Sequence, residues 1–259
     1  MVDQPQMKNK MHRPLPFSTS EEVLDGQVLV FDKPLTWTSF DVVNKVRYTF
    51  KNVFGLRKVK VGHAGTLDPL ATGVLILCTG RKTKTIEALQ AEEKTYTGTI
   101  RLGVTTPSFD AETEIDSWGD TVEIEKLTLD SISKAALALT GDLNQMPPQF
   151  SAKKVDGVVA YNAARKGVKI NLTPKAVQVF SFNTPKIESA NVEGHPVIDV
   201  KFEIKCSKGT YIRALARDLG KALGVGGTLT ELRRTQSGNF KVENAFDLQE
   251  FISSVKSLA

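Results

Sequence analysis

The sequence predicts an α+β fold in which helices flank a largely antiparallel mixed sheet. Polar and apolar residues alternate over 95–104 and again over 198–206, the period of a strand with one buried face. Apolar residues recur at helical spacing over 42–50, 129–139 and 212–223. Because these strands and helices follow one another irregularly, not as repeated strand–helix units, they argue against a doubly wound parallel sheet.

Local signals predict the remaining elements. Apolar runs at 28–31 and 74–78 indicate strands, the second of them buried. Thr38 or Ser39 can cap the helix that contains residues 42–50. Apolar residues at helical spacing predict a final helix over 248–255.

The chain of 259 residues is long enough for one large domain or two small ones. Residues 1–22 are polar and proline-containing, so we expect a flexible N-terminal tail. Residues 23–259 then form the folded domain. Periodicity breaks down over 141–169, and so long an aperiodic segment indicates a functional insertion or a lid.

Composition sets the broad class of the protein. A hydrophobic content of 41% and a charged content of 24% are ordinary for a soluble globular domain. No run approaches the roughly 20 apolar residues of a membrane span, and the N-terminus lacks the apolar core of a signal peptide. Cys78 and Cys206 lie in strand-like patterns, which favours a reducing cytoplasm over a disulfide framework. The three histidines are too scattered for metal-ligand spacing.

The net charge of +5 weakly favours a polyanionic partner. Basic residues cluster at 51–60 and 81–84, on either side of the stretch described next. Cations at such positions suit contacts with a phosphate backbone, although an ordinary solvated surface explains the charge alone equally well. Two glycine-rich segments, at 80–83 and 224–227, fail the phosphate-loop and dinucleotide-binding patterns.

The most informative stretch, residues 62–73, reads Gly-His-Ala-Gly-Thr-Leu-Asp-Pro-Leu-Ala-Thr-Gly. Its glycines and Pro69 predict a tight loop rather than a helix. Asp68 is the only carboxylate in this loop, and the buried strand at 74–78 follows it. An acid held at the mouth of such a loop can meet a substrate with little protein in the way, so Asp68 is the candidate catalytic residue.

This stretch resembles, almost letter for letter, the catalytic loop of the TruB family of tRNA pseudouridine synthases, GHAGTLDPLATGVL. Similar blocks cover nearly the whole chain beyond the N-terminal tail. They lie at 32–34, 37–41, 94–96, 146–152, 208–213 and 232–235. The resemblance implies the pseudouridine synthase fold with an RNA-binding insertion at 141–169.

The resemblance also implies a reaction. The family breaks the N1–C1′ bond of uridine 55 in the T loop of tRNA and joins C5 of the uracil to C1′. Because this is an isomerisation, we expect no cofactor and no metal. One carboxylate can suffice where a glycosidase needs two, since the uracil stays in the pocket and water is kept out. Asp68 then acts as a nucleophile on C1′ or as a base at C2′, and the sequence leaves both open.

Roles for other residues follow by resemblance. Arg213 is expected to pair with Asp68 and keep it ionised in a closed pocket. Tyr96 is expected to stack on the target uracil, and His63 to fill the space that a flipped uridine leaves in the RNA. Further pocket residues implied are Tyr211, Leu232 and Lys33. The RNA backbone is expected to contact Lys153, Lys154 and Arg165 of the insertion.

The chain departs from the family pattern in two places. Residues 106–108 read Thr-Pro-Ser where Thr-Asp-Thr is common. The small C-terminal RNA-binding domain of many bacterial relatives is expected to be absent or vestigial.

We expect a cytoplasmic monomer that acts on the T arm of tRNA, without a protein partner or a membrane. The alternatives are a tRNA-folding chaperone with secondary catalysis and a glycosidase acting on small sugars. The presence of Asp68, Tyr96 and Arg213 disfavours a pure chaperone, and the lone carboxylate of the motif disfavours a glycosidase.

Overall fold

A nine-stranded sheet is the centre of the computed structural model, which describes residues 13–151, 153–155 and 157–258. The strands are β1 (Val28–Lys33), β2 (Val61–His63), β3 (Ala71–Thr79), β4 (Lys94–Leu102), β5 (Val104–Thr105), β6 (Ser117–Trp118), β7 (Gly141–Gln145), β8 (Lys154–Val155), β9 (Val158–Val159), β10 (Lys175–Val192), β11 (His195–Cys206), β12 (Gly227–Ser237) and β13 (Phe240–Lys241). The α-helices are α1 (Ser20–Asp25), α2 (Ser39–Phe54), α3 (Ile86–Ala91), α4 (Thr121–Glu125), α5 (Leu129–Leu137), α6 (Ala160–Ala164), α7 (Ile212–Ala222) and α8 (Leu248–Lys256). Short 3₁₀ helices lie at Gly80–Thr85 and Val242–Asn244.

The strand order confirms the predicted fold class. The sheet runs β1-β3-β12-β4-β11-β10-β7, with β2 beside β3 and β13 beside β12. Its pairings are antiparallel except that of β3 with β12, which is parallel. The sheet is therefore mixed and largely antiparallel, as the irregular sequence of strands and helices predicts.

Two hydrophobic clusters hold the helices against the sheet. One combines α5 and α7 with the buried face of β4 and β11, including Ile100 and Ile204. The other joins α2 and α8 to β1 and β3 through packed aromatic rings, among them Phe31 and Phe251, whose centroids are 4.9 Å apart. The loop that contains Asp68 lies between β2 and β3, so it is anchored on a rigid part of the sheet.

The predicted flexible tail is packed from Arg13 onward. Phe17 is 5% exposed and contacts the rings of Phe50 and Phe251. Thr19 caps α1, which begins at residue 20, inside the predicted tail. Burial of one aromatic ring fixes this segment, and a single phenylalanine leaves no periodic signal in the sequence. Residues 1–12 lie outside the described residues.

The predicted insertion begins in a strand of the main sheet. Residues 141–145 form β7, which pairs with β10 from Lys175↔Gln145 to Val179↔Gly141. The β8–β9 hairpin and α6 follow it. The part that projects from the sheet therefore starts after β7, and two of its residues, Ala152 and Asp156, lie outside the described residues.

Residues 13–151, 153–155 and 157–258 contain neither a membrane-spanning helix nor a metal-binding cluster. None of their helices is long and apolar enough to span a bilayer. The same ranges bring together no group of histidine, cysteine or acidic side chains that could hold a metal ion.

Candidate active site

The loop between β2 and β3 is held by backbone hydrogen bonds on both sides of Asp68. The Ser39 hydroxyl accepts from the Leu67 amide at 2.9 Å and donates to the Leu67 carbonyl oxygen. The Asp68 carbonyl oxygen accepts from the Ala71 amide at 3.0 Å, and the Pro69 carbonyl from the Thr36 amide. Leu67 is buried under the loop. These contacts fix the backbone on both sides of Asp68.

Asp68 and Arg213 form a two-pronged ion pair. Arg213 Nε lies 3.0 Å from Asp68 Oδ2, and Nη2 donates to Oδ1 at 3.3 Å. The Arg213 side chain is 5% exposed, whereas that of Asp68 is 39% exposed. The arginine is therefore buried behind the carboxylate, and the carboxylate keeps an open side towards the cavity. Such bidentate pairs restrict orientation as well as supplying charge.

A second carboxylate lies behind the same arginine. Asp110 is buried, and its Oδ2 lies 3.3 Å from Arg213 Nη1. Arg213 also donates to the carbonyl oxygens of Ser108, at 3.1 Å, and Phe150, at 2.8 Å. Every nitrogen of the guanidinium is thus engaged, so Arg213 is held rigidly and holds Asp68 in turn.

Two opposing effects act on the pKa of Asp68. Burial raises the pKa above its ordinary value of 3.8, and the Arg213 charge acts to lower it, with burial the larger effect. The charge of Asp110 raises the pKa further. The expectation that Arg213 favours the ionised form agrees with the sign of its contribution, although the net shift is upward.

Asp68 opens into a cavity of about 370 Å³. Tyr96 on β4, Tyr211 at the start of α7 and Leu232 on β12 line it together with Asp68 and Arg213. The size suits one nucleobase with its ribose. The Gln145 side chain fixes Tyr211, because it accepts from the backbone amide at 2.8 Å and donates to the carbonyl oxygen at 3.1 Å.

Lys33 does not line this cavity. Its side chain is fully buried, and Nζ donates to the carbonyl oxygens of Pro34 at 2.8 Å, Trp37 at 2.6 Å and Pro69 at 3.3 Å. Burial lowers its pKa to about 8. The expectation that Lys33 binds substrate does not fit this placement. The ammonium instead ties the chain after β1 to the loop of Asp68.

His63 also lies outside the cavity lining, at the end of β2. It is half-buried, and its Nδ1 has no hydrogen-bond partner among the described residues. Burial and the nearby Arg234 charge lower its pKa, which favours the neutral imidazole.

The three cations of the insertion are placed differently from one another. Arg165 pairs with Glu112 at 3.0 Å, and its guanidinium lies 4.6 Å from the centroid of the Tyr161 ring. Lys153 Nζ donates to the carbonyl and hydroxyl oxygens of Thr173. Lys154 is exposed on β8. An RNA phosphate would therefore compete with Glu112 for Arg165 and with Thr173 for Lys153.

The basic residues on either side of the motif meet away from Asp68. Strands β2 and β3 are antiparallel, and Val61 at the start of β2 lies opposite Thr79 at the end of β3. The segments before β2 and after β3 therefore meet at that end of β3. It lies roughly 25 Å from the other end of the strand, where the Asp68 loop enters. These segments form a cavity of about 650 Å³ whose described lining contains no carboxylate. Its cations are Arg47, Lys51, Arg57, Lys58, Lys60, Arg81 and Lys84.

Two buried residues of the site were missed by reading the sequence. Asp110 begins an acid-rich run, residues 110–125, that is remote from the motif in sequence. Arg234 is adjacent to Arg233, and the sequence alone does not distinguish the two arginines. Arg234 is 1% exposed and lines the cavity with Asp68 and Tyr96. The sequence signal that could have indicated a buried Arg234 is a basic residue with strand-like residues on both sides.

Comparisons with known proteins identify the class as the pseudouridine synthases. Residues 51–212 match the profile described as TruB family pseudouridylate synthase (N terminal domain). Residues 213–257 match the tRNA pseudouridylate synthase B C-terminal domain. The chain therefore belongs to the TruB family of pseudouridylate synthases. The second matched range includes α8 and β12, so part of it belongs to the same sheet as the candidate site.

The most similar relatives include proteins named tRNA pseudouridine synthase B. That of Flavobacterium johnsoniae is 48% identical over 92% of this chain and 100% of its own length. The Phocaeicola vulgatus protein is 48% identical over 88% of this chain and 92% of its own.

Among solved structures, a chain of a Cbf5-Nop10-Gar1 complex is 30% identical, with a TM-score of 0.60. A chain of an H/ACA RNP bound to a substrate RNA containing 2′-deoxyuridine is 28% identical, with a TM-score of 0.55. Each match covers 89% of the present chain but only 54% and 53% of the other. This chain thus spans about half the length of those neighbours.

Proposed function

We propose that this protein isomerises uridine 55 in the T loop of tRNA to pseudouridine, with Asp68 as the essential carboxylate. The observation that carries the proposal is the Asp68–Arg213 pair, which opens on a base-sized cavity lined by Tyr96. The names of the relatives support tRNA as the substrate.

In the proposed reaction the N1–C1′ bond of the uridine breaks and a C5–C1′ bond forms. The C5 hydrogen leaves as a proton, and N1 gains one, so atoms and electrons balance without a redox partner. Asp68 reacts at the ribose, either on C1′ or at the C2′ hydrogen. Arg213 keeps the carboxylate ionised and oriented, while Tyr96 stacks on the uracil.

A target uridine inside a folded loop must leave its stack to reach this cavity. Flipping costs a few kcal/mol, which stacking on an aromatic ring and hydrogen bonds in the pocket offset. The large cavity lined by cations supports a polyanionic partner away from the reacting base. We propose that the enzyme acts as a cytoplasmic monomer and that this one domain supplies the RNA contacts.

Release of the C5 hydrogen provides the test. Unmodified tRNA carrying tritium at C5 of its uridines should release label to water when the purified protein is added. A matched transcript with cytidine in place of uridine 55 should release none above background. Equal release from both transcripts would overturn the assignment of position 55.

The insertion cations give a prediction about binding. Replacing Lys153, Lys154 and Arg165 together by Ala should weaken tRNA binding without changing which uridine reacts, because phosphate contacts position an RNA but carry little sequence information. If all three contact phosphates, the slope of log Kd against log salt should fall by about 2. Filter binding at several salt concentrations measures it.

Lys126→Ala is the matched control, since Lys126 is exposed and already paired with Glu123. It should leave the salt dependence unchanged. An unchanged slope in the triple variant would mean that Thr173 and Glu112 hold Lys153 and Arg165 in the complex too.

Recognition by one domain predicts activity on a short substrate. An isolated T-arm stem-loop should react with a kcat/KM within about tenfold of full-length tRNA, a difference of about 1.4 kcal/mol. Single-turnover rates on both RNAs, at equal salt, check it. A nearly inert stem-loop beside an active tRNA would show that contacts beyond the T arm are required.

A further inference from the structure

Arg234 is a buried cation at the back of the cavity, on β12. Its Nε donates to the Val74 carbonyl oxygen at 2.7 Å, and Nη2 donates to that of Gly65 at 3.1 Å. Nη1 lies 3.5 Å from the Thr66 carbonyl oxygen. Within the described part of the chain no carboxylate forms an ion pair with it, and the acceptors of its hydrogen bonds are backbone carbonyl oxygens. The side chain thereby joins β3 to the loop that carries Asp68.

Two motif glycines, Gly65 and Gly73, lie against this arginine. Gly73 is directly opposite Arg234 in the parallel pairing of β3 with β12. A Cβ added at Gly73, where φ is +103°, would lie 2.1 Å from the Arg234 carbonyl oxygen. Gly65 has a φ of +99°, and a Cβ there would lie 3.5 Å from Arg234 Nη1. Both positions need a left-handed backbone, and Gly73 also needs the missing side chain.

Arg234 lies directly opposite Tyr96 in the antiparallel pairing of β4 with β12, and both residues line the cavity. Burial raises the pKa of Tyr96, and the nearby charge of Arg234 acts in the opposite direction. A guanidinium has donors only, so Arg234 can act on the Tyr96 oxygen only as a donor.

We propose that Arg234 is a positioning residue for the isomerisation, holding the Asp68 loop and the Tyr96 hydroxyl in one rigid frame around the uracil. The proposal rests on the proposed roles of Asp68 and Tyr96. It adds that the two groups, which come from separate parts of the sheet, are aligned by one side chain. The same positive charge favours the anionic uracil that breaking the N1–C1′ bond produces.

The neighbouring residue provides a matched control. Arg233 also lies on β12, but its guanidinium pairs with Asp32 at 2.7 Å and is 39% exposed. Arg233→Gln and Arg234→Gln remove the same charge from adjacent positions. Only the second removes the contacts to the Asp68 loop and the charge that lies opposite Tyr96.

We expect Arg234→Gln to lower the single-turnover rate on tRNA by about 100-fold, the loss typical of a reacting group displaced by about 1 Å. The Kd for tRNA should change by less than about threefold, since no RNA-contact surface is altered. Arg234→Lys should recover part of the rate, because lysine restores the charge but not the fork of donors. Arg233→Gln should stay within about threefold of wild type in both quantities.

A double-mutant cycle with Tyr96→Phe tests how Arg234 acts. If it acts partly through the Tyr96 hydroxyl, Arg234→Lys should cost less in the Tyr96→Phe background than in the wild type. Full additivity would overturn the Tyr96 half of the proposal.

Several outcomes would overturn the whole proposal. They are a rate within threefold of wild type in Arg234→Gln, a loss confined to Kd, and a failure of both Arg234 variants to unfold cooperatively, which would make the residue a core stabiliser only. All rates are compared with wild type on whichever uridine reacts. If the assignment of uridine 55 is wrong, the wild-type protein will modify another uridine, but the ratio of variant to wild-type rate will still test the role of Arg234.

Discussion

Asp68→Asn should lower the rate of pseudouridine formation by at least about 10⁴-fold, the scale seen when a nucleophile or its base is removed from a working site. The substitution keeps the size and most of the hydrogen bonding of the side chain but removes its charge. Asparagine can neither attack C1′ as an anion nor take a proton from C2′. Single-turnover kinetics with enzyme in excess of tRNA measure the loss directly.

Binding of tRNA by Asp68→Asn should be close to that of the wild type, because the variant loses one acidic group from the cavity and no basic one. Asp110→Asn serves as the comparison. The Asp110 carboxylate lies behind Arg213 and does not line the cavity into which Asp68 opens. Asp110→Asn should slow the reaction less than Asp68→Asn does. Substantial turnover by Asp68→Asn would remove Asp68 from the chemistry.

Arg213→Met should cost about 3–5 kcal/mol in activation free energy or stability, because it leaves the buried Asp110 and the partly exposed Asp68 without their cation. Asp68 and Asp110 both face this arginine, so its removal brings two negative charges together with nothing between them. Arg213→Lys should recover only part of the activity, since an ammonium cannot make the two-pronged contact. Wild-type rates in Arg213→Met would show that the arginine is dispensable.

The pH dependence of the rate gives a second measurement on the same variants. Arg213 lowers the pKa of Asp68 against the larger effect of burial, so its removal should raise that pKa further. The acidic limb of the pH–rate profile should therefore move to higher pH in Arg213→Lys and further in Arg213→Met. Because the pKa of Asp68 in the folded protein already lies above 3.8, ionisation of this group costs stability at neutral pH. That cost is relieved as the pH falls through the folded pKa.

The fold class could be predicted because the sequence patterns of β4 and β11 agree with their burial. Both strands alternate in sequence, and their inward faces form the main core. Two other long strands, β10 and β12, were not predicted. The second half of β10 is mostly exposed, and β12 carries charged and polar residues at several inward positions, so neither alternates cleanly. Pairing with neighbours, not local pattern, makes them strands.

The candidate site could be predicted where a motif fixes local geometry. Asp68, Tyr96, Tyr211, Arg213 and Leu232 were identified from the sequence and its resemblance, and the structure brings all five to one cavity. Their chemical roles stay predictions.

Other site residues could not be predicted because their positions depend on long-range contacts. Asp110 reaches Arg213 across the fold, and Arg234 is distinguished from Arg233 only by the side of the strand on which it lies. The Lys33–Pro34 dipeptide indicates a strand end. It does not show that the ammonium turns back onto three carbonyl oxygens.

The most direct test of the central claim is a position-by-position map of pseudouridine in an unmodified tRNA transcript after incubation with the purified protein. The account predicts one new pseudouridine, at position 55, and none with Asp68→Asn under conditions in which that variant still binds the tRNA. Pseudouridine at another position, or the same modification made by Asp68→Asn, would contradict it.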